Sequence, residues 1–309
     1  MSPLLITGGA GFIGSHLVDT LLGAGQPVRV LDNLSTGKRE NLDPRAEFIE
    51  GDVADAVLVR RAVQGVAGII HLAAIASVEL SNQDWLGTHR VNQTGTIAVL
   101  DAARHCGRVP VVYASSAAIY GDQGDGLIAE TARPAPRTAY GADKLGSELH
   151  AAVAAGVHGL HTTGLRFFNV YGPRQDPCSP YSGVISIFAV RIAAGRQVTI
   201  HGDGRQVRDF IYVADVVAHL RAALATLQGA AAPSASVFNV CTGKPTSVLD
   251  IATTLAEVAG CRADIQHGPS RAGDIRISVG DPAAARAALG VTAAVSLRDG
   301  LAATCASLS

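Results

Sequence analysis

The sequence predicts an α/β fold: a doubly wound parallel sheet followed by a smaller C-terminal α/β lobe. Three observations carry that reading. The first half alternates short β-branched or apolar runs with Ala/Leu-rich helical stretches. A glycine loop, TGGAGFIG, joins the first such run to the first helix. Near residue 170 the alternation stops at YGPRQDPCSPYSG, a loop dense in Pro, Gly and Ser.

Strands are expected at Leu4–Thr7, Val28–Asp32, Glu47–Gly51, Gly68–Leu72, Val111–Ser115 and Gly164–Phe168. Runs such as GIIHL and PVVYAS are apolar throughout, as strands covered on both faces must be. Each intervening segment is long enough for a crossover helix. Residues 1–169 then form the dinucleotide-binding part, and residues 170–309 mainly a substrate-binding lobe with some segments returning to the first. In SVLDIATTLAEVAG, Val248, Ile251, Leu255 and Val258 share a helical face, and Ser247 and Asp250 read as a capping box. In DPAAARAALG, Asp281 is the expected N-cap, Pro282 the first helical residue and Gly290 the stop.

Gly8, Gly11 and Gly14 follow the first strand and open the helix SHLVDTLLGAG. The first permits a tight turn, the second lets backbone approach a pyrophosphate, and the third lets helix and strand pack closely. The free N–H groups of the helix N-terminus then face the anion. Strand two ends in Asp32, 18 residues after Gly14. A carboxylate there accepts hydrogen bonds from the adenosine ribose and repels a 2′-phosphate, which favours NAD over NADP despite the neighbouring Lys38 and Arg39. The fold is thus Rossmann-type. GDVAD after strand three points to Asp52 and Val53 near the adenine, with helix capping as the other use of Asp52.

The composition excludes several classes. A net charge of −1 without basic or acidic blocks argues against nucleic acid and membrane surfaces as partners. No run of about 18 apolar residues exists to span a bilayer, and MSPLLITGGAG lacks the features of a secretory signal. Five scattered cysteines without a C-x-x-C fit reduced thiols, and so a cytoplasmic protein. No metal site is expected; His158 and His161 lack companion ligands.

The catalytic candidates are Tyr140 and Lys144 in TAYGADK, one helical turn apart, and Ser115 and Ser116 at the C-terminal end of strand five. A free tyrosine, with a pKa near ~10, is a poor base at neutral pH. A nearby ammonium and a positive nicotinamide ring both favour the phenolate. Lys144 is therefore expected to make Tyr140 a base. Ser116 can share the same substrate oxygen. His71 reads as a core histidine.

These motifs resemble the extended short-chain dehydrogenase/reductase family. TGGAGFIG, HLAA, SSAAIYG and YGADK carry the likeness in the first half. RFFNVYGPRQDP, SGVISIF, GDGRQVRDFIYVADVV and RAGDIR resemble its nucleotide-sugar branch, above all UDP-sugar 4-epimerases. The resemblance implies Tyr140 as base, Lys144 as its partner on the nicotinamide ribose and Ser116 as the catalytic hydroxyl, with Ser115 the fallback. It implies NAD contacts at Gly8, Gly11, Phe12, Ile13, Gly14, Asp32, Asn33, Asp52, Val53, Leu72, Ala73, Ala74, Tyr140 and Lys144. On the substrate it implies contacts from Ser115 and Ser116, Asn169 on a sugar or diphosphate oxygen, Arg208 and Arg271 on the diphosphate, Asp274 on the uridine ribose, Val184 over the nucleotide and His201 against uracil.

Two departures sharpen the expectation. Ala117 and Ala118 stand where the family's 4,6-dehydratases carry an Asp-Glu pair, so dehydration is not expected. Ser278 stands at the gate beside the sugar's 2-substituent, where a bulky tyrosine can occur. A serine leaves room for an N-acetyl group, so UDP-GlcNAc and UDP-GalNAc are expected substrates, with UDP-Glc and UDP-Gal also possible. A 4-reductase, a UDP-glucuronate epimerase or decarboxylase, and a non-catalytic dinucleotide sensor remain alternatives. The resemblance further implies a homodimer, paired through helices over Gly87–His105 and Ala139–Ala155.

Overall fold

The computed structural model describes residues 1–177, 183–270 and 275–308. Its large sheet contains β1 (Leu4–Thr7), β2 (Val28–Asp32), β3 (Glu47–Glu50), β4 (Gly68–His71), β5 (Val111–Ser116), β7 (Thr162–Phe167) and β12 (Ala235–Val240), all parallel, in the order β12-β7-β5-β4-β1-β2-β3. The order reverses direction between β1 and β4, which places a crevice at their C-terminal ends. Eleven helices lie among the described residues: α1 (Phe12–Gly23), α2 (Ala56–Ala62), α3 (Val78–Gln83), α4 (Trp85–His89), α5 (Gly95–His105), α6 (Ala139–His158), α7 (Val184–Ala193), α8 (Val213–Gln228), α9 (Val248–Val258), α10 (Ala283–Leu289) and α11 (Leu297–Ala306).

The period of two along each strand sends alternate residues to opposite faces. Leu4, Ile6 and Val30 pack with Leu17, Val18 and Leu220 of α1 and α8. Leu5, Leu31 and Ile69 pack with Val59, Val99 and Ala151 of α2, α5 and α6. Helices therefore cover both faces, and β1 and β4 are buried at every position, as their unbroken apolar runs require.

The remaining strands are short. β13 (Thr246–Ser247), β10 (Val207–Arg208), β15 (Ile277–Gly280) and β6 (Leu127–Ile128) form one sheet in that order. β8 (Asn169–Tyr171) pairs with β11 (Phe210–Tyr212), and β9 (Val198–His201) with β14 (Ile265–Gly268). A separate apolar cluster joins Ile185, Phe188 and Ile192 of α7 to Ile251 and Leu255 of α9. Chain crosses between the two parts in both directions. β12, from the C-terminal half, closes the large sheet, while β6, from the N-terminal half, closes the small one.

The capping box at α9 is present: Ser247 Oγ accepts from the Asp250 N–H at 3.0 Å, and Asp250 accepts from the Ser247 N–H at 3.0 Å. Gly290 ends α10 in the left-handed region, with φ 67°. The start of α10 is displaced by one residue from expectation. Pro282 is the N-cap and Ala283 the first helical residue, because the Asp281 carboxylate accepts from the Ala283 N–H at 2.9 Å and closes its own turn first. The helix expected over Gly87–His105 is interrupted by a π turn, Arg90–Thr94, between α4 and α5.

Candidate active site

The glycine loop turns at Gly8, whose φ is 71° and where an added Cβ would lie 2.6 Å from the Ala73 N. Gly14 packs α1 on the loop so closely that a Cβ would come 2.1 Å from the Gly8 carbonyl oxygen. Neither position tolerates a side chain. Gly11 differs: it has an ordinary φ of −77°, and the nearest atom to a Cβ there, the Gly8 oxygen, is 3.3 Å away. The loop is thus tight against the protein and open outward at Gly11. Gly11 is also the N-cap of α1 and carries no side-chain cap, so Phe12 and Ile13 open the helix with backbone donors available to an anion.

Asp32 is buried at the end of β2. Its Oδ2 accepts from the Ala10 N–H at 2.9 Å and its Oδ1 from the Leu34 N–H at 2.8 Å. Two fixed donors leave acceptor capacity on both oxygens and set the carboxylate beside the loop. Asn33 follows it, exposed, with its side chain on the Ser35 N–H. Arg39, one of the two nearby cations, lies over the Phe48 ring at 4.4 Å from its centroid. Asp52 accepts from the Ala54 N–H, while the cap of α2 is Asp55. The Val53 side chain is buried against Gly95. Leu72 and Ala73 are held to β1 by Leu72 N–H on the Thr7 carbonyl at 3.0 Å and Ala73 N–H on the Thr7 hydroxyl at 3.3 Å, and Ala74 follows. These residues fit a dinucleotide: a tight loop, an open helix end and a carboxylate at the tip of the second strand.

Tyr140 enters α6 in its first turn. Thr138 caps that helix through the Gly141 N–H at 3.1 Å, and the Tyr140 N–H donates to Ser81 Oγ of α3 at 3.3 Å. Gly141 lies so close to the turn after β5 that a Cβ would sit 2.7 Å from the Ala118 oxygen. That approach brings the Ser116 hydroxyl to Tyr140, where it favours the phenolate. Ser116 also caps the single 3-10 turn Ala117–Ile119 by accepting from the Ala118 N–H at 3.1 Å.

Ser115 does not join them. It is buried on the other side of the strand, and its hydroxyl donates to Glu148. The fallback role and the substrate contact expected for Ser115 are therefore corrected: strand alternation turns consecutive serines to opposite faces.

Lys144 is buried, its Nζ 2.8 Å from the Ala114 carbonyl and 5.8 Å from the centre of the Tyr140 ring. Burial lowers its pKa to about 8, opposed by the charge of Asp143. Tyr140 is raised above its ordinary value, chiefly by burial, with the Ser116 hydrogen bond acting the other way. This differs from the expected lowering, which also drew on the nicotinamide charge: within the protein alone, desolvation of the phenolate dominates.

His71 is a core histidine, as expected. Its Nδ1 lies 2.7 Å from the Thr7 hydroxyl and its Nε2 3.1 Å from that of Thr96. Burial, then the Lys144 charge, lowers its pKa to about 3 from 6.5. A histidine kept neutral on folding contributes stability above the unfolded pKa and loses it as pH falls toward the folded one. Between pH 6.5 and 5 the native protein should lose about 2 kcal/mol at this site. Urea unfolding across that range measures it, and His71→Gln should flatten the slope.

On the substrate side, Arg208 and Ser278 are register partners of β10 and β15. The Ser278 carbonyl accepts from the Asp209 N–H at 3.0 Å, and the Asp209 carbonyl from the Asn169 N–H at 2.9 Å. Arg208, Asn169 and Ser278 thus converge through one backbone node. Asp209 is itself fully buried, accepting from the Thr242 and Gly243 N–H groups at 2.8 Å. His201 ends β9 half-buried, its ring 3.2 Å from the Pro269 carbonyl, and Val184 opens α7. Arg271 and Asp274 lie outside the described residues.

Sequence reasoning missed four groups here: Ser81, His89, Asn92 and Asp143. Asn92, in the π turn, clamps Ile75 by bonding both its N–H and its carbonyl, at 2.8 and 3.0 Å. Only Asp143, directly before Lys144, had a local signal. Among the described residues no cluster of ligating side chains suits a metal, and none of the helices is long and apolar enough to cross a membrane.

The NAD dependent epimerase/dehydratase family matches the chain over residues 4–241. The chain belongs to that family. As such it is an NAD-dependent enzyme of the extended short-chain dehydrogenase/reductase group. A UDP-glucose 4-epimerase of Mycolicibacterium smegmatis is 38% identical over 308 residues, covering 97% of this chain and 96% of that one. The UDP-glucose 4-epimerase of Thermotoga maritima, solved with UDP-glucose, superposes with a TM-score of 0.93 at 38% identity, covering 99% and 98% of the two chains. A UDP-N-acetylglucosamine 4-epimerase of Methanobrevibacter ruminantium, in complex with UDP-N-acetylmuramic acid, gives 0.93 at 31% identity with the same coverage. The enzyme's cofactor is NAD, and the geometry at the glycine loop and Asp32 fits a dinucleotide.

Proposed function

We propose that the enzyme is a UDP-sugar 4-epimerase that interconverts UDP-GlcNAc and UDP-GalNAc, and UDP-Glc and UDP-Gal, through a transient 4-keto sugar. The observation that carries this reading is the Ser116–Tyr140 hydroxyl pair, backed by buried Lys144, in a turn that holds no carboxylate. The relatives named above support the reaction class, and Ser278 the N-acetylated substrates.

NAD, held by the glycine loop and Asp32, would supply the hydride acceptor and donor for C4 and a positive charge beside Tyr140. The residues of this chain do the rest. Tyr140 takes the proton from the sugar 4-OH and later gives it back; Ser116 holds the same oxygen. Lys144, as an ammonium, stabilises the phenolate and bonds the nicotinamide ribose. Arg208 and Arg271 grip the diphosphate through forked hydrogen bonds, so that the keto ring can turn over without leaving. Asn169 steadies a sugar or diphosphate oxygen, His201 and Val184 cover the base, and Asp274 holds its ribose. Residues 170–309 supply most of these contacts. Because Ala117 and Ala118 offer neither acid nor base, elimination of water from C5–C6 has no catalyst.

Incubation with UDP-GlcNAc and UDP-Glc separately, with each C4 epimer quantified by NMR, tests the proposal. Both pairs should interconvert. Ser278→Tyr should cut turnover of UDP-GlcNAc by about 100-fold or more while sparing UDP-Glc. No epimer from either sugar would remove the epimerase reading, and an indifferent Ser278→Tyr the gate.

We also propose a cytoplasmic homodimer. Ile97 of α5 and Leu149, Val153 and Val157 of α6 form an exposed apolar face, 38, 62, 53 and 70% accessible, on the two helices expected to pair. Light scattering should give twice the chain mass; a monomer at micromolar concentration contradicts this part.

A further inference from the structure

Asp143 is 3% exposed, one residue before Lys144 in α6. Its Oδ1 accepts from His89 Nδ1 at 2.8 Å; a carboxylate only accepts, so that nitrogen carries the hydrogen. Its Oδ2 is buried and has no hydrogen-bond partner among the described residues. A half-satisfied buried carboxylate is costly and calls for a use.

The charges around it identify one. On α6 the other buried carboxylate, Glu148, is neutralised by Arg166 of β7 at 2.7 Å. His71 of β4 faces Lys144 as a neutral ring. Tyr113 of β5 is held protonated by burial. Asp101 and Arg104 of α5 pair with each other at 2.7 Å near the surface. Glu79 of α3 and Arg90 of the π turn are exposed. Asp143 is what remains as a negative charge acting on the Lys144 ammonium, against its burial.

We propose that Asp143, fixed by His89, is a positioning residue whose charge keeps Lys144 in its ammonium form at neutral pH. Burial alone drives a lysine toward the neutral amine, and a neutral amine cannot stabilise a phenolate. The consequence for catalysis rests on the roles proposed for Tyr140 and Lys144. The charge state of Lys144 does not, and it is measurable without turnover.

The chain has three lysines, Lys38, Lys144 and Lys244. Carbon-13 labelling at the lysine ε-carbon therefore gives three NMR signals, with Lys144 assigned by its loss in Lys144→Arg. In the wild-type full-length protein Lys144 should titrate below the other two and above pH 7. Asp143→Asn keeps the size of the side chain and an acceptor for His89. It should lower the Lys144 midpoint by about one pH unit, roughly a tenfold loss in proton affinity, and Asp143→Glu should restore it. The alkaline limb of kcat/KM should move with the Lys144 midpoint. Superimposable Lys144 titrations in wild type and Asp143→Asn overturn the proposal. If Asp143→Asn does not fold, the wild-type midpoint decides: a value below pH 7 overturns the proposal, and one above supports it.

Discussion

Tyr140→Phe should lower kcat by about 1000-fold or more and leave NAD affinity within about threefold of wild type. The ring itself packs at the start of α6, and the helix is capped by Thr138 and tied to Ser81 through backbone, not through the Tyr140 hydroxyl. Phenylalanine keeps that packing. Its loss is confined to the oxygen that lies by Ser116 and that the proposed mechanism makes the proton acceptor. The proposed NAD contacts at Gly8, Gly11, Gly14, Asp32 and Lys144 do not depend on that oxygen. A lower kcat with unchanged unfolding free energy is thus the signature of a chemical role. Rates within about tenfold of wild type would show that another group removes the proton. Ser116→Ala should act on the same step with smaller effect, because it shares the oxygen without being the base.

The second large effect concerns stability. Arg166 and Glu148 form a buried pair with two parallel hydrogen bonds, at 2.9 and 2.7 Å, and side chains only 5 and 7% exposed. Arg166 also donates to the Tyr120 hydroxyl at 2.8 Å and the Glu130 carbonyl at 3.0 Å, and Tyr120 donates to Asn239 at 2.7 Å. Ser115 completes the network on Glu148. The ion pair itself contributes little net stability over apolar residues of the same shape, since desolvation offsets attraction. Removing one charge is different, because it leaves the other buried alone. Arg166→Met should cost about 3–5 kcal/mol in unfolding free energy, and Glu148→Leu with Arg166→Met clearly less than the two single losses added together. Urea denaturation of the three variants measures this. Because Ser115 and Ser116 are consecutive on β5, the same network fixes the strand end that aims Ser116 at Tyr140.

What the sequence revealed follows the range of the interaction. Strands and the glycine loop are legible because their signals are local: an apolar run buried on both faces, a turn only glycine can make, a carboxylate at a strand tip. Gly8 and Gly14 have the roles their spacing predicts. Tyr140, Lys144 and Ser116 are legible because each lies in a short contiguous motif. The motif resemblance ranks Ser116 ahead of Ser115, and the two-residue period of β5 supplies the physical reason, turning the two to opposite faces. Pairs far apart in sequence stayed hidden: His89 with Asp143 is separated by 54 residues, Ser115 with Glu148 by 33, and Tyr140 with Ser81 by 59. Nothing local announces such a partner. The one-residue shift at Asp281 has another cause: an aspartate before proline can cap the helix or close its own turn, and the sequence reads the same for both.

The account stands most directly on the fate of the C4 hydrogen. UDP-glucose deuterated at C4, incubated with the enzyme in ordinary water, should yield UDP-galactose with the deuterium still on C4 and no net NADH. That is the result if the hydride leaves C4, stays within the closed site and returns to the opposite face of a ring held by its diphosphate. Deuterium lost to solvent, or NADH accumulating in step with product, would contradict a self-contained oxidation and reduction and with it the epimerase assignment.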